Sequence, residues 1–407
     1  MGLSEAIDPW SIDEFLAKAW EHEPLFIRRA DRSYFASLMS VGEFDLVISS
    51  TGLRHPYFRV FHAGQLMPVD QTMTSRQLGP DVDSGLADLN KLYDEYGAGG
   101  TLALQAAERW WPSFRELARD FQSELGFPAQ VHVYLTPADA QGAPVHYDTH
   151  DVFVLQVEGR KTWDIWRPTT DLPMRMSEDV YNTLAVDERS RSEPILTVTL
   201  DAGDSLYLPR GFIHRARTEA ESSLHITVSI MVDRWVDVAV MAISHRLAIL
   251  RDDVGLRGSI PFGRSPMAKP TGPETDRFQT IADVLVKHLD DDLHEGLEAV
   301  RAQAVQYLTP SSRGRFVDLV KAPAIDESSI LTVRREPLGT VVDVGGSTKI
   351  RCGDDELDID ARQQAALAFV LSSDQFRPSE LSASLDVDDR VSFARQLVEM
   401  GICSVLQ

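Results

Sequence analysis

The sequence contains few cysteines and no long apolar run. Of its 407 residues only two, Cys352 and Cys403, are cysteines, and both lie near the C-terminus. Two cysteines in these positions provide neither the disulfide framework of a small secreted protein nor a set of zinc ligands. No apolar run approaches the roughly 20 residues that a transmembrane helix needs, so we expect no membrane partner.

Basic residues are also scarce. The chain has 40 lysines and arginines against 62 acidic residues, a formal net charge of -22, and it has no basic cluster. Nucleic-acid binding depends on clustered Lys and Arg, so we expect no direct nucleic-acid partner. The acidic balance is compatible with a basic protein or peptide partner, although charge alone favours the simpler interpretation that it maintains solubility.

No targeting segment is recognisable in the sequence. Residues 1–6 are acidic and lack the apolar region of a signal peptide, and the few cysteines fit a reducing compartment, so we expect a cytoplasmic protein. The hydrophobic content of 43% and the charged content of 25% are ordinary for a soluble globular protein. The length allows two or three domains.

A His-x-Asp motif, His146 and Asp148, is the first candidate for chemistry. In an extended strand these two side chains point to the same side and Tyr147 points to the other. They would supply two of the three ligands of a facial triad, which holds non-haem Fe(II) and leaves positions open for other ligands. His214 offers a third ligand. The motif alone is weak evidence, because chance produces it often and most histidines are structural.

Residues 131–232 read as short β segments separated by Gly and Pro turns. The candidate strands are Val131–Thr136, Val152–Val157, Arg160–Trp166 after a turn at Glu158-Gly159, Leu196–Leu200, Ser205–Leu208 and Leu224–Ile230. About seven or eight such strands predict a double-sheet jelly roll.

Two of these strands have one polar and one apolar face. His132, Tyr134 and Thr136 share a face of the first, and His225, Thr227 and Ser229 share a face of the last. Such a face usually meets solvent. In a barrel that holds a polar site it could point inward, with the apolar face packed under the N-terminal helices.

The flanking regions are mostly helical. Before the β region we predict a helix capped by Ser11, helices at Val41–Ile48 and Leu86–Tyr96, and an amphipathic helix that ends at Gly126. Residues 234–325 also have helical patterns, with an apolar stripe along Ile281–Leu308 that needs a cover, either from its own chain or from a second subunit.

Residues 326–407 read as a small α+β module whose element order is similar to that of a winged helix. Its candidate recognition helix carries Asp388, Asp389, Arg390, Arg395 and Glu399, which is not a phosphate-binding face. We therefore predict a module for protein interaction or packing.

Several blocks of the sequence resemble the JmjC (cupin-4) ribosomal oxygenases. The blocks are residues 133–137, 144–148, 151–156, 158–163, 203–211 with His214, and 223–227. The resemblance covers at least residues 20–235 and implies an α+β chain whose core is a double-stranded β-helix, or jelly roll. It also implies three domains: a JmjC/cupin domain over 1–235, a helical dimerisation domain over 236–325, and a winged-helix-like domain over 326–407.

The resemblance further implies an Fe(II)- and 2-oxoglutarate-dependent oxygenase that consumes O2 and hydroxylates a protein side chain. His146, Asp148 and His214 would hold Fe(II), and Lys161 would bind the distal carboxylate of 2-oxoglutarate. Without the resemblance, Lys161 reads as an exposed lysine in a turn. The remaining residues expected beside the cosubstrate are Tyr134, Ser229, Thr227 and His132.

Two further histidines have alternative roles. His150 follows His146 by four residues and offers a second histidine ligand, but the pairing with Asp148 favours an orienting or loop role. We assign His225 a supporting or structural role.

Three hypotheses about function follow. The first is hydroxylation of His or Arg in a basic ribosomal protein by a homodimer. The second is the same chemistry on a biosynthetic peptide or a small molecule. The third is a non-catalytic cupin-like scaffold, against which the combination of Lys161 with His146, Asp148 and His214 argues.

Overall fold

A computed structural model describes residues 1–174, 183–252, 314–334, 340–344, 347–352 and 355–406, with single residues and short stretches between 254 and 300. The chain divides into two compact units, Met1–Leu308 and Thr309–Gln407. Most of the predicted helix Ile281–Leu308 lies outside the described residues. The three-domain division therefore stays a prediction.

Several of the described helices in the first unit begin and end where their sequence signals indicate. They are α1 (Leu3–Ile7), α2 (Ile12–Lys18), α3 (Val41–Ser50), α4 (Leu89–Gly97), α5 (Pro112–Leu125), α6 (Thr183–Ser190) and α7 (Trp235–Leu250). The Ser11 side chain accepts a hydrogen bond from the Glu14 backbone N–H, which confirms the predicted N-cap. Gly126 ends α5 in the left-handed conformation with φ of 76°.

The strands of the first unit form one large sheet, a short branch from it and a separate hairpin. They are β1 (Leu25–Ile27), β2 (Phe58–His62), β3 (Gln65–Leu66), β4 (Met73–Leu78), β5 (Asp81–Ala87), β6 (Thr101–Leu104), β7 (Ala129–Thr136), β8 (Asp151–Trp166), β9 (Leu196–Asp201), β10 (Ser205–Leu208), β11 (Ile213–Arg217) and β12 (Ser223–Ile230). The main order is β1-β10-β8-β12-β7-β6-β2-β3, β9 and β11 pair with β8 alone, and β4 pairs with β5.

Strand β8 belongs to both the large sheet and the short branch that β9 and β11 form with it. Its first half pairs with β10 and β12, and its second half pairs with β9 and β11. The predicted turn at Glu158-Gly159 is wrong, because the chain bends there without reversing. Gly159 has φ of 64°, and a Cβ on it would lie 1.8 Å from the Ser222 carbonyl oxygen, so only glycine fits this bend.

The predictions for residues 61–100 are also partly wrong. The helix predicted from Leu86 begins at Leu89, because Asp88 caps it and Leu86 still pairs in the β4–β5 hairpin. The β2–β3 hairpin and strand β11 were not predicted. Their sequences are short and lack the strict alternation by which the longer strands are recognised.

The largest apolar cluster lies on one face of the large sheet. Alternating residues of β7 and β12, such as Val133 and Val228, are buried there together with Phe15, Phe114 and Phe121 of the helices. Each such buried side chain contributes about 1.5–3 kcal/mol. Because side chains alternate along a strand, the polar residues of β7 and β12 point to the opposite face, into the interior of the jelly roll. Of the two alternatives for the polar faces of β7 and β12, the structure therefore shows the one in which they point into the barrel.

The second unit has its own core. Its elements are α8 (Arg315–Lys321), α9 (Ala361–Leu371), α10 (Val387–Glu399), β13 (Leu331–Val333), β14 (Thr340–Val344), β15 (Ser347–Cys352), β16 (Asp355–Ile359), β17 (Gln375–Phe376) and β18 (Cys403–Val405). One sheet has the order β17-β13-β18 and the other β14-β15-β16. The sequence of residues 378–384 also predicts a helix, but this prediction is wrong, since only the 3-10 turn Pro378–Glu380 forms there. Both cysteines are free.

Among the helices in the described ranges, none combines the length and the apolar character required to cross a membrane.

Candidate active site

His146, Asp148 and His214 converge at one end of the jelly roll. One ligand atom from each lies within 4.8 Å of the others. His214 lies on β11, and a pair of backbone hydrogen bonds of 2.8 and 3.1 Å joins it to His146 in an isolated bridge. The prediction of a strand through His146 and Asp148 is wrong, since β8 begins only at Asp151. Tyr147 nevertheless points away from His146 and Asp148, as predicted, because it packs with Trp166 in a separate apolar cluster.

Both imidazoles are oriented for metal binding. His146 Nδ1 lies 2.7 Å from the Pro144 carbonyl oxygen, and His214 Nδ1 lies 3.0 Å from that of Phe212. A carbonyl can only accept, so both Nδ1 atoms carry protons and both Nε2 atoms present lone pairs. His146 Nε2 lies 3.9 Å from Asp148 Oδ1, and His214 Nε2 lies 3.6 Å from Asp148 Oδ2. Two nitrogen donors and a carboxylate on one side fit a divalent transition metal.

The electrostatics hold His214 and Asp148 in their ligating forms. Burial, followed by the neighbouring His146, lowers the pKa of His214 to about 4, which keeps its imidazole neutral. Burial alone would raise the pKa of Asp148, but His150, His146 and His214 together hold it below its usual value. At neutral pH the cluster therefore presents a neutral His214 imidazole and an Asp148 carboxylate.

A cavity of about 850 Å³ opens beside this cluster. It is larger than a small diacid alone would fill, so it has room for a second molecule beside such a ligand. Its described lining includes every predicted metal and cosubstrate residue, namely His132, Tyr134, His146, Asp148, Lys161, His214, Thr227 and Ser229. The structure thus brings together all of the side chains singled out from the sequence.

Lys161 is buried at the inner end of this cavity. It is 2% exposed, and its ammonium nitrogen lies 2.8 Å from Thr136 Oγ1, which also accepts from Thr101 Oγ1 at 3.1 Å. The alternative of an exposed lysine in a turn is wrong, since Lys161 lies within β8. No carboxylate of the described residues pairs with it, and burial lowers its pKa to about 7. An anion entering the cavity would restore the charged form.

Tyr134 lies on β7, with the side chains of Gln105 and Thr227 beside its hydroxyl. Burial, assisted by the charge of Asp148, raises its pKa to about 12, so the hydroxyl stays protonated and available as a donor. Its ring stacks on His225 with ring centroids 4.9 Å apart. His225 is 2% exposed and does not belong to the ligand set of His146, Asp148 and His214, in keeping with a supporting role.

His132 and His150 flank the cluster without belonging to it. The Ala106 backbone N–H donates to His132 Nδ1 at 3.3 Å, which leaves the Nε2–H of the neutral ring as a donor. Burial lowers the pKa of His132 to about 3. His150 Nε2 lies 4.0 Å from Asp148 Oδ1, beyond the ligand set. These positions agree with an orienting role for His150.

Several lining residues were not predicted. Arg59 lies on β2 and Gln105 directly follows β6, both far in sequence from the β7–β12 region. They reach the cavity because β6 and β2 extend the large sheet beyond β7. No local pattern indicates this, since it depends on long-range strand pairing.

Comparisons with known proteins agree with this geometry. Residues 106–238 match the sequence profile of the JmjC domain. The chain is 26% identical to the bifunctional lysine-specific demethylase and histidyl-hydroxylase NO66 of Culex quinquefasciatus, across 96% of this chain and 64% of the relative. It is 32% identical to ribosomal oxygenase 1 of Rattus norvegicus, across 62% of this chain and 41% of the relative. It therefore spans less than two thirds of these relatives.

Solved structures show the same fold. The crystal structure of Escherichia coli ribosomal oxygenase YcfD matches with a TM-score of 0.52 and 16% identity over 98% of both chains. The structure of YcfD in complex with cobalt and 2-oxoglutarate matches equally, with a TM-score of 0.52 and 16% identity over 98% of this chain and 99% of the other. The resemblance to JmjC ribosomal oxygenases and the cupin-type fold are confirmed. The dimerisation and winged-helix domains stay predictions.

Proposed function

We propose, from the JmjC domain that residues 106–238 form, that this chain is an Fe(II)- and 2-oxoglutarate-dependent oxygenase that hydroxylates a protein side chain. One observation carries the proposal. Two imidazole Nε2 atoms and a carboxylate converge in the same cavity that contains a buried lysine without a described carboxylate partner.

The donor set supports Fe(II). Two histidines and one carboxylate on one side leave the remaining metal positions open. When bound, the iron and 2-oxoglutarate together supply the activation of O2, and the protein supplies binding and orientation. The carbonyls of Pro144 and Phe212 fix both ring orientations, so His146 and His214 need no rearrangement to bind a metal.

The inner end of the cavity supports a dicarboxylate cosubstrate. Lys161 provides the only ammonium of the described lining, and Thr136 orients it. An unpaired ammonium is costly to bury, whereas pairing with a carboxylate offsets that cost. The hydroxyls of Tyr134, Thr227 and Ser229 add donors along the same wall, and His132 adds an N–H. The related YcfD has been solved with 2-oxoglutarate.

The outer part of the cavity supports a neutral substrate side chain, which favours histidine over arginine. Asp148 is the only carboxylate of the described lining, and it belongs to the metal cluster, whereas Arg59 adds a guanidinium to the same lining. A guanidinium or a methylated ammonium would therefore be buried without an anion. Three relatives are named bifunctional lysine-specific demethylase and histidyl-hydroxylase, and others are named ribosomal oxygenase. The histidyl-hydroxylase and ribosomal parts of these names support histidine in a ribosomal protein. The net charge of -22 suits a basic partner of that kind.

Succinate release from 2-oxoglutarate with Fe(II) tests the activity. We expect turnover in the wild type, none in His146→Ala, and wild-type turnover in His55→Ala, a matched control at an exposed histidine that does not line the cavity. Absence of succinate from the wild type would favour the scaffold hypothesis.

Comparative proteomics tests the substrate. A gain of one oxygen on a histidine of a ribosomal protein, present in wild-type cells and absent from a knockout, is the expected result. The same oxygen on an arginine would contradict the selection of a neutral side chain. Succinate turnover without any ribosomal modification would favour a biosynthetic peptide or a small molecule.

We also propose a cytoplasmic homodimer with a helical dimerisation region over 236–325 and a winged-helix-like module over 326–407. Support comes from α7, on which Trp235 is 83% exposed and Val240 is 56% exposed, and from the order of helices and sheets in the second unit. The acidic first turn of α10, with Asp388 and Asp389, supports a role without nucleic acid. Size-exclusion chromatography with light scattering measures the subunit number, and a monomeric mass would contradict the dimer.

A further inference from the structure

The four-residue connection 209–212 between β10 and β11 touches two of the three candidate metal ligands. The Gly211 backbone N–H donates to the Asp148 carbonyl oxygen at 2.9 Å. The Phe212 carbonyl oxygen lies 3.0 Å from His214 Nδ1. The orientation of the Asp148 backbone and of the His214 ring therefore depends on where this connection lies.

A chain of buried polar contacts holds the connection in place. The Arg210 guanidinium is 6% exposed and pairs with Glu21 Oε1 at 2.7 Å. The Glu21 backbone N–H donates to the Tyr207 hydroxyl oxygen at 2.9 Å, and that hydroxyl donates to Asp151 Oδ1 at 2.6 Å. Asp151 lies three residues after Asp148, so the contacts run from Arg210 back to the segment that carries that ligand. We call Glu21, Asp151, Tyr207 and Arg210 the anchoring cluster.

Stability alone does not account for the anchoring cluster. Asp151 is fully buried, yet its Oδ2 has no hydrogen-bond partner among the described residues, and neither do Nε and Nη1 of Arg210. The Tyr207 ring meanwhile packs against Phe15 and Phe153, each with ring centroids 4.9 Å away. Apolar residues of similar volume would fill such a pocket at lower cost than incompletely paired charges. Glu21 also adopts φ of 58°, a conformation unfavourable for a side chain with a Cβ.

The geometry points to a positioning role for the anchoring cluster. We propose that Glu21, Tyr207 and Arg210, together with Asp151, fix connection 209–212 so that Asp148 and His214 are oriented before a metal arrives. None of the four lines the cavity, so they act through the ligands and not on a substrate. The inference rests on the metal-binding function proposed above. Residues that orient ligands in this way typically change metal affinity by about 10- to 100-fold when they are replaced.

Two variants and one control test the proposal. Tyr207→Phe removes the hydroxyl and keeps the ring, and Glu21→Gln removes the charge and keeps an acceptor for Arg210. Asp204→Asn is the control, because Asp204 is also a fully buried carboxylate with hydrogen-bond partners. It accepts from the Arg29 and Asp201 backbone N–H groups at 2.8 and 2.9 Å. It directly precedes β10, whereas connection 209–212 follows that strand. Cobalt(II) is titrated into each apoprotein while its visible absorption is recorded, and thermal unfolding of each apoprotein is measured in parallel.

We expect Tyr207→Phe to bind cobalt about tenfold more weakly than the wild type with an altered visible spectrum, and Glu21→Gln to show a smaller loss in the same direction. Asp204→Asn should lose stability but keep the wild-type affinity and spectrum. Wild-type affinity and spectrum in both variants would overturn the positioning role, and so would an equal loss of affinity in Asp204→Asn.

The two proposals fail in distinguishable ways. A wild type that does not bind cobalt would overturn the proposed metal site itself, whereas a wild type that binds normally beside unaffected variants would overturn only the positioning role. If Tyr207→Phe does not fold, Glu21→Gln decides the question, because Glu21 is partly exposed and its replacement is conservative.

Discussion

Replacement of Lys161 by methionine should stabilise the ligand-free protein while abolishing 2-oxoglutarate binding. Burial lowers the pKa of Lys161 from the ordinary 10.5 to about 7. The unfolded chain therefore binds more protons than the folded chain between pH 7 and 10.5, and this lysine makes stability rise with pH across that window. The corresponding penalty on folding is about 4 kcal/mol at pH 7 and about 2 kcal/mol at pH 9.

Methionine has a similar length and carries no charge, so it avoids this penalty. Loss of the hydrogen bond to Thr136 offsets about 1 kcal/mol of the gain. We therefore expect Lys161→Met to raise the free energy of unfolding by about 3 kcal/mol at pH 7 and by about 1 kcal/mol at pH 9. Chemical denaturation of the apoprotein at both pH values measures this.

The same variant should fail to respond to 2-oxoglutarate. Saturating ligand at 100 times its Kd stabilises a protein by about 2.7 kcal/mol, which the wild type should show and Lys161→Met should not. Lys18→Met is a suitable control, since Lys18 is exposed on α2, where it pairs with Glu14 four residues away and lies 5.6 Å from the centroid of the Trp10 ring. Its replacement should lower stability by at most about 1 kcal/mol. A Lys161→Met apoprotein less stable than the wild type at pH 7 would refute the reasoning, because it would mean that an anion of the protein compensates the ammonium.

Three further predictions concern the same core. Thr136→Val removes the hydroxyl that orients Lys161, so the KM for 2-oxoglutarate should rise about tenfold with little change in kcat, and a changed kcat with a constant KM would contradict this role. Tyr134→Phe removes one donor from the cavity wall and should weaken 2-oxoglutarate binding about fivefold by calorimetry; unchanged binding would exclude the hydroxyl as a contact. Gly159→Ala should lower the free energy of unfolding by about 3 kcal/mol or more, whereas Gly52→Ala, with a similar φ of 62° but open space around it, should lose only about 1 kcal/mol. Equal losses in the two glycine variants, measured by denaturation, would show that the close approach at Gly159 is unimportant.

Local signals in the sequence predicted the elements of the fold well. The N-cap at Ser11 and the glycine that ends α5 each depend on a few neighbouring residues, and both were found where predicted. The alternation along β7 and β12 likewise identified which residues share a face. It did not determine whether the polar face meets solvent or the interior, because that depends on what packs on the other side.

The errors arise where distant segments decide the local structure. A Glu-Gly pair normally indicates a turn, but at Gly159 the strand continues because β9 and β11 pair with the residues beyond it. Gln105 enters the site only through the pairing of β6 with β7, about 30 residues later in the chain. The candidate metal and cosubstrate residues are predicted from the combination of spaced motifs, whereas Thr101 and Gln105 have no such motif.

The continuity of β8 has a consequence for how this protein tolerates changes in length. The strand runs without a break from Asp151, three residues after Asp148, to beyond Lys161. Insertion or deletion of one residue between Asp151 and Lys161 would shift the strand register by one. The Lys161 ammonium would then point towards the outside of the barrel, where it could no longer reach a cosubstrate in the cavity. Compensation would require a second change in β12, which pairs with the same stretch. We therefore expect relatives that share this activity to keep the spacing between Asp148 and Lys161 constant.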